Sequence, residues 1–133
     1  VADYEIILID PRDHFATKNR FPNCKIINEW PDEALSKFNL DKSSHLVTLT
    51  HDPKIDDLAL IFCMKKNIGY IGSLGSKKTH NKRCERLIEK GFNEIELSKI
   101  HAPIGLDIKA KTPAEIAASI LAEIINYRRN NHD

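Results

Sequence analysis

The sequence predicts an α/β domain in three layers, with helices on both sides of a mainly parallel sheet. Apolar runs such as EIILID (5–10) and HLVTLT (45–50) alternate with segments that have helical patterns. Such alternation is typical of parallel strands joined by right-handed crossovers. The length of 133 residues, with no internal repeat or linker, indicates one domain over residues 1–133.

The first elements are predicted from short apolar runs and the residues that end them. EIILID ends at Asp10-Pro11, and proline cannot donate to a sheet ladder, so we expect the strand to end there. A second strand is predicted at CKIIN (24–28) and a helix at PDEALSKFN (31–39), whose Pro-Asp-Glu start suits a first turn. HLVTLT is the next strand.

A helix is predicted within HDPKIDDLALIFCMKKN (51–67). Asp52 is its expected N-cap, Pro53 takes the first position, and Asp56 and Asp57 complement the helix dipole. A strand follows at IGYIG (68–72).

Two more helices complete the predicted order. A basic helix covers 76–90 and ends at Gly91. The last helix begins with a capping box at TPAE (112–115), and its polar end is expected to fray beyond Tyr127.

Composition excludes several classes of protein. The net charge of +1 gives no overall attraction for nucleic acid or an acidic membrane. No apolar run approaches the roughly 20 residues that span a bilayer, and no signal peptide pattern is present. The three cysteines, Cys24, Cys63 and Cys84, are scattered, which fits a reducing compartment and predicts a cytoplasmic protein.

Three predicted strands end in polar segments that are candidates for one binding site. They are Asp10-Pro11-Arg12, Thr50-His51-Asp52 and the loop from Gly72 to Ser76. Because ligands of open parallel sheets bind beyond the carboxyl ends of the strands, we expect these three segments to lie along one edge.

Asp10 and Arg12 have two interpretations. An acid at such a strand end can bind the ribose hydroxyls of a dinucleotide, with Arg12 beside a phosphate. Alternatively, Asp10 caps a turn and Arg12 is a solvated surface residue.

The segment GSLGSKK (72–78) is a candidate anion site. Gly72 and Gly75 allow backbone to approach a ligand, and Ser76 can cap the following helix. Exposed N–H groups together with Lys77 and Lys78 would attract a phosphate. The spacing matches neither a Walker A loop nor G-x-G-x-x-G. The alternatives are a tight turn with solvated lysines, or a basic helix that docks on a partner.

His51 is the candidate for proton transfer at this edge. Asp52, Asp56 and Asp57 are explained as helix-capping and dipole residues, so we predict no metal site, and no Ser/His/Asp triad can be assigned. PIGLDI (103–108) either lines the ligand pocket or forms an irregular edge of the sheet.

These segments resemble the C-terminal, Rossmann-type domain of the XdhC/CoxI family. The resemblance rests on DPR-x-x-FA from Asp10, RFP (20–22), LTHD from Leu49, YIGSLGSKK (70–78), PIGL (103–106) and TPAEIAASILAEI (112–124). It covers nearly the whole chain in the same order.

The resemblance implies an accessory protein for molybdenum hydroxylases such as xanthine dehydrogenase or carbon monoxide dehydrogenase. Family members bind the molybdenum cofactor, assist its sulfuration and deliver it to the apo-enzyme. The domain is also similar to NAD(P)-binding folds, so molybdopterin and NAD(P) are the two expected ligands, and both carry phosphate. Two other functions stay open: an NAD(P)-linked oxidoreductase, and a non-catalytic interaction domain.

The chain departs from the family pattern before Asp10. The usual first strand, its glycine-rich turn and the amino-terminal family domain are not found within these 133 residues. None of the three cysteines can be assigned the cofactor-handling role of the cysteine in that domain. An uncovered sheet edge favours association, so we expect a homo-oligomer or a separate N-terminal partner segment.

Overall fold

The computed structural model describes residues 4–12 and 23–132. In chain order the elements are β1 Ile7–Ile9, β2 Lys25–Ile27, α1 Pro31–Leu35, β3 His45–Thr48, α2 Pro53–Met64, β4 Tyr70–Ser73, α3 Lys77–Glu89, α4 Glu94–Leu97, β5 Ile100–His101 and α5 Pro113–His132.

All strand pairs within the described residues are parallel, but they form two sheets where one was predicted. One sheet has the order β1-β2 and the other β3-β4-β5. In a doubly wound fold of order 3-2-1-4-5-6, the first strand lies between these two groups. The division between the two groups, between β1 and β3, falls at the position of that first strand.

Helices cover both faces of the sheets, which confirms the predicted layers. On one face, α1 to α4 pack through a cluster that includes Leu35, Leu60 and Leu87, with Ile71 contributed by β4. On the other face, α5 contributes Ile124, which packs in a second cluster with Tyr70 and Ile104. Neighbouring residues of β4 point to opposite faces because side chains alternate along a strand. This strand is buried along its whole length.

The helix caps agree with the sequence. Asp52 and Ser76 accept backbone N–H groups of α2 and α3, and Thr112 and Glu115 form the predicted capping box at the start of α5. Gly91 follows α3 with a φ of 100°. These signals depend only on local chemistry, so they set the boundaries independently of tertiary packing.

Two elements were missed and one was predicted too short. The helix α4 and the strand β5 are additional, and α5 continues to His132 where fraying was expected beyond Tyr127. Side-chain amides of Asn130 and Asn131 donate to carbonyls one turn earlier, and Arg128 donates to the Tyr4 hydroxyl. These bonds stabilise α5 beyond Tyr127, where its apolar residues end. None of the helices formed by the described residues is both long and apolar enough to cross a membrane.

Candidate functional site

The three polar segments at the strand ends, residues 10–12, 50–52 and 72–76, are termed crossings. The first crossing places Asp10 and Arg12 at the carboxyl end of β1. Asp10 is 6% exposed. Its Oδ1 accepts from the backbone N and Nε of Arg12 at 2.9 and 3.0 Å, and its Oδ2 accepts from Nη2 at 2.9 Å. The hydrogen bond to Asp10 is the main cause of a raised Arg12 pKa, and the charges of Asp52 and Asp56 raise it further. The two residues therefore form one ion-paired unit at the end of β1.

The second crossing is organised by Asp56, which is buried at 4% exposure. Its carboxylate accepts from the Thr50 hydroxyl at 2.6 Å and from the backbone N of His51 at 3.2 Å. Asp56 thus ties the end of β3 to α2, a larger role than the dipole effect assigned from the sequence. These bonds hold His51 in a left-handed conformation with φ of 65°, and its side chain is exposed at the edge.

The third crossing joins β4 to α3. Ser73 is fully buried, and its hydroxyl lies 2.7 Å from the Thr48 hydroxyl of the neighbouring strand. Ser76 then caps α3, since its Oγ accepts from the Thr79 backbone N at 3.2 Å. The N–H groups of Lys77 and Lys78 have no carbonyl one turn earlier, as in any first turn. Both lysines are exposed, so cations and free donors lie together.

Gly72 has a different role from the one its position suggested. A Cβ atom there would lie 2.5 Å from Ile104 Cδ1 and 2.7 Å from the Tyr70 hydroxyl. The residue is buried, and the space a side chain would need is filled by protein. The requirement for glycine at this position is therefore explained by packing, whereas Gly75, with φ of 133°, lies in the loop itself.

PIGLDI packs at the same edge and against α5. The backbone N of Ile104 donates to the Ser73 carbonyl at 3.2 Å, and that of Leu106 donates to the Ser119 carbonyl at 3.1 Å. A Cβ on Gly105 would lie 2.5 Å from Ser119 Oγ. This segment therefore lies between the carboxyl end of β4 and α5 and is bonded to both.

Charges and shared lining residues relate neighbouring crossings in pairs. The charges of Asp52 and Asp56 act on Arg12, which relates the first crossing to the second. His51 and Pro53 line a small cavity of about 20 Å³ together with Thr79 and Arg83, which relates the second crossing to the third. That all three crossings surround one ligand site stays a prediction.

Arg83 is a residue of this region that the sequence did not single out. It lies on the second turn of α3, is 4% exposed, and donates from Nη2 to the Leu74 carbonyl at 3.0 Å. Leu87 is buried one turn later. The i, i+4 spacing between the two was the available signal, because it places position 83 on the side of the helix that faces the sheet.

Among the described residues, no group of three or more His, Cys, Asp or Glu side chains could hold a metal ion. Burial raises the pKa of the Cys63 thiol to about 11. Burial also raises the pKa of the Cys84 thiol, while the charge of Arg83 acts in the opposite direction. Both thiols are therefore protonated near neutral pH.

Similarity along nearly the whole chain identifies the family. Residues 1–124 match the family described as the XdhC Rossmann domain. The chain belongs to this family. The XdhC-type domain is 33% identical over 127 residues to a Bacillus subtilis (strain 168) protein named as a probable xanthine dehydrogenase subunit, covering 95% of this chain and 36% of that protein.

Two further proteins are similar to the XdhC-type domain. An Escherichia coli (strain K12) protein named "Molybdenum cofactor insertion chaperone PaoD" is 30% identical over 100 residues, which cover 75% of this chain and 31% of that protein. A crystal structure described as a xanthine dehydrogenase from Bacillus halodurans has a TM-score of 0.78 at 32% identity, covering 96% of this chain and 36% of that one. The domain spans 36% or less of the length of these three proteins.

Proposed function

We propose that this chain is the cofactor-handling domain of an XdhC-type accessory protein. It binds a phosphate-bearing cofactor and assists the maturation of a molybdenum hydroxylase such as xanthine dehydrogenase. The observation that carries the proposal is the exposed N-terminus of α3, where Ser76, Lys77 and Lys78 follow the buried strand β4. Partial positive charge, free N–H groups and two ammonium groups coincide there.

The molybdenum cofactor is the ligand we favour over NAD(P). The Escherichia coli relative is named as an insertion chaperone for this cofactor. Asp10, the expected ribose ligand, is already bound by Arg12, which weakens the dinucleotide alternative. An insertion chaperone needs a phosphate site and no nucleophile, so His51 acts as a hydrogen-bonding group. On this proposal the chain is not a turnover enzyme and acts in the cytoplasm.

The partners we propose are the molybdenum hydroxylase client and a chain that covers the division between β1 and β3. That second partner is either another copy of this chain or a separate N-terminal segment. The support is the split sheet, since strand edges attract further strands.

Ligand binding tests the proposed site. We expect isolated molybdenum cofactor to raise the melting temperature of this chain more than NAD⁺ or NADP⁺ does, since a ligand of the native state stabilises it. The double change Lys77→Ala/Lys78→Ala should weaken binding by about three- to thirtyfold at low salt, from two exposed charge contacts. Lys65→Ala/Lys66→Ala removes a similar pair at the far end of α2 and serves as the control.

The outcome separates the three functions. Unchanged cofactor affinity in the Lys77/Lys78 variant at low salt would remove the anion site. Hydride exchange with NAD(P)H would favour the oxidoreductase. A specific protein complex without stabilisation by any nucleotide or cofactor would favour the interaction domain.

A further inference from the structure

Arg83 is a buried cation directly beneath the loop between β4 and α3. Besides the bond from Nη2 to Leu74, its Nη1 lies 2.9 Å from His80 Nδ1. An arginine always donates, so Nδ1 of His80 is the acceptor and the proton of the neutral ring is on Nε2. Two of the five N–H donors of Arg83 are thereby used, one on the loop and one on its own helix.

No carboxylate within the described part of the chain lies at ion-pair distance from this guanidinium. Asp57 is paired with Arg86 at 2.7 Å, and Asp56 is bonded to Thr50 and His51. Burial lowers the pKa of Arg83, and the charges of Asp56 and Asp57 act against this. Burying a cation without a direct counterion is costly, so its retention here needs a reason.

The loop lies directly on this side chain. A Cβ on Gly75 would be 3.1 Å from Thr79 Cγ2 and 3.7 Å from Arg83 Nη2. The C=O and N–H of a trans peptide point in opposite directions. Because the Leu74 carbonyl points at the buried Arg83 guanidinium, the Gly75 N–H of the same peptide points away from it. It has no acceptor among the described residues, and it precedes the free N–H groups of Lys77 and Lys78.

We propose that Arg83 is a positioning residue for the phosphate group of the ligand. By fixing the Leu74 carbonyl it directs the Gly75 N–H toward a phosphate oxygen, so that loop and helix N–H groups form one concave anion site. This role rests on the proposed function of the edge. Arg83 sets the backbone shape of the phosphate site and does not contact the ligand.

The test compares Arg83→Lys and Arg83→Met with the unaltered chain, using inorganic pyrophosphate as probe in titration calorimetry. A lysine keeps the buried charge, but it lacks the planar guanidinium that donates to the Leu74 carbonyl and to His80 at the same time. We expect both variants to lose roughly tenfold or more in affinity, with faster amide hydrogen exchange at Gly75–Lys78. Arg83→Lys also covers the case in which Arg83→Met does not fold. Arg86→Lys, one turn along α3, is the control and should bind as the unaltered chain does.

Each alternative result has a distinct meaning. Full affinity in Arg83→Lys with loss in Arg83→Met would show an effect of charge and overturn the positioning role. Unchanged affinity in both, while Lys77→Ala/Lys78→Ala weakens binding, would overturn the role of Arg83 and leave the anion site standing. Absence of pyrophosphate binding by the unaltered chain would remove the anion site and Arg83's role together.

Discussion

Replacing Gly72 by alanine tests whether this glycine serves packing or ligand access. The added methyl carbon would lie 2.5 and 2.8 Å from Cδ1 and Cγ1 of Ile104, and 2.7 Å from the Tyr70 hydroxyl. Ordinary contacts between carbon atoms are about 3.5 to 4.0 Å. Ile104 and Tyr70 are both buried, so they have little room to move away.

The expected cost of Gly72→Ala is about 1 to 3 kcal/mol, the usual range for one extra carbon in a packed core. For a chain of this length, 1 kcal/mol corresponds to roughly 3 to 5 °C in melting temperature. Ile104→Val removes Cδ1 and should cost about 0.5 to 1.5 kcal/mol alone. In that background the alanine should cost less, since its closest contact is gone.

Urea unfolding of the four chains in this double-mutant cycle measures the effect. A coupling energy of roughly 0.5 kcal/mol or more between positions 72 and 104 is expected for residues in direct contact. Full stability of Gly72→Ala together with lost cofactor binding would refute the packing explanation. It would restore the first interpretation of this glycine, as a point where backbone approaches a ligand.

Two further predictions concern pH and association. The pKa of His80 is lowered by burial and then by the charge of Arg83. As pH falls below about 6.5, His80 takes up a proton in the unfolded chain before it does so in the folded chain. The free energy of unfolding should therefore decline from pH 7 to 5. His80→Gln should make that decline shallower in urea unfolding, and equal slopes would contradict this cause. From the divided sheet, we expect sedimentation velocity at micromolar concentration to show self-association or capture of a separate N-terminal segment; a strictly monomeric chain that binds no such segment contradicts it.

Local chemistry was the part of the fold that the sequence predicted well. Asp52, Ser76, Thr112 and Gly91 act on backbone groups within one turn, so their roles can be inferred without knowing the tertiary structure. The helix α4 carried the same kind of signal, a capping box between Asn93 and Glu96. It was missed because the helix is only four residues long.

The roles that the sequence assigned incompletely or missed depend on contacts between distant segments. Asp56 suits a helix dipole at first reading, but its burial and its bonds to Thr50 appear only when β3 is placed beside α2. Arg83 was not singled out within the predicted basic helix 76–90. Its true environment follows from the packing of α3 against the sheet, which charge patterning alone does not contain.

The division between β1 and β3 leaves the two groups of strands without shared backbone pairing. Within the described residues no ladder hydrogen bond joins the half that carries Asp10 to the half that carries Ser76. A hinge rotation of a few degrees would change the distance between Asp10 and Ser76 without breaking any ladder hydrogen bond. A strand added between the two halves would donate and accept ladder hydrogen bonds on both sides and would therefore fix their spacing.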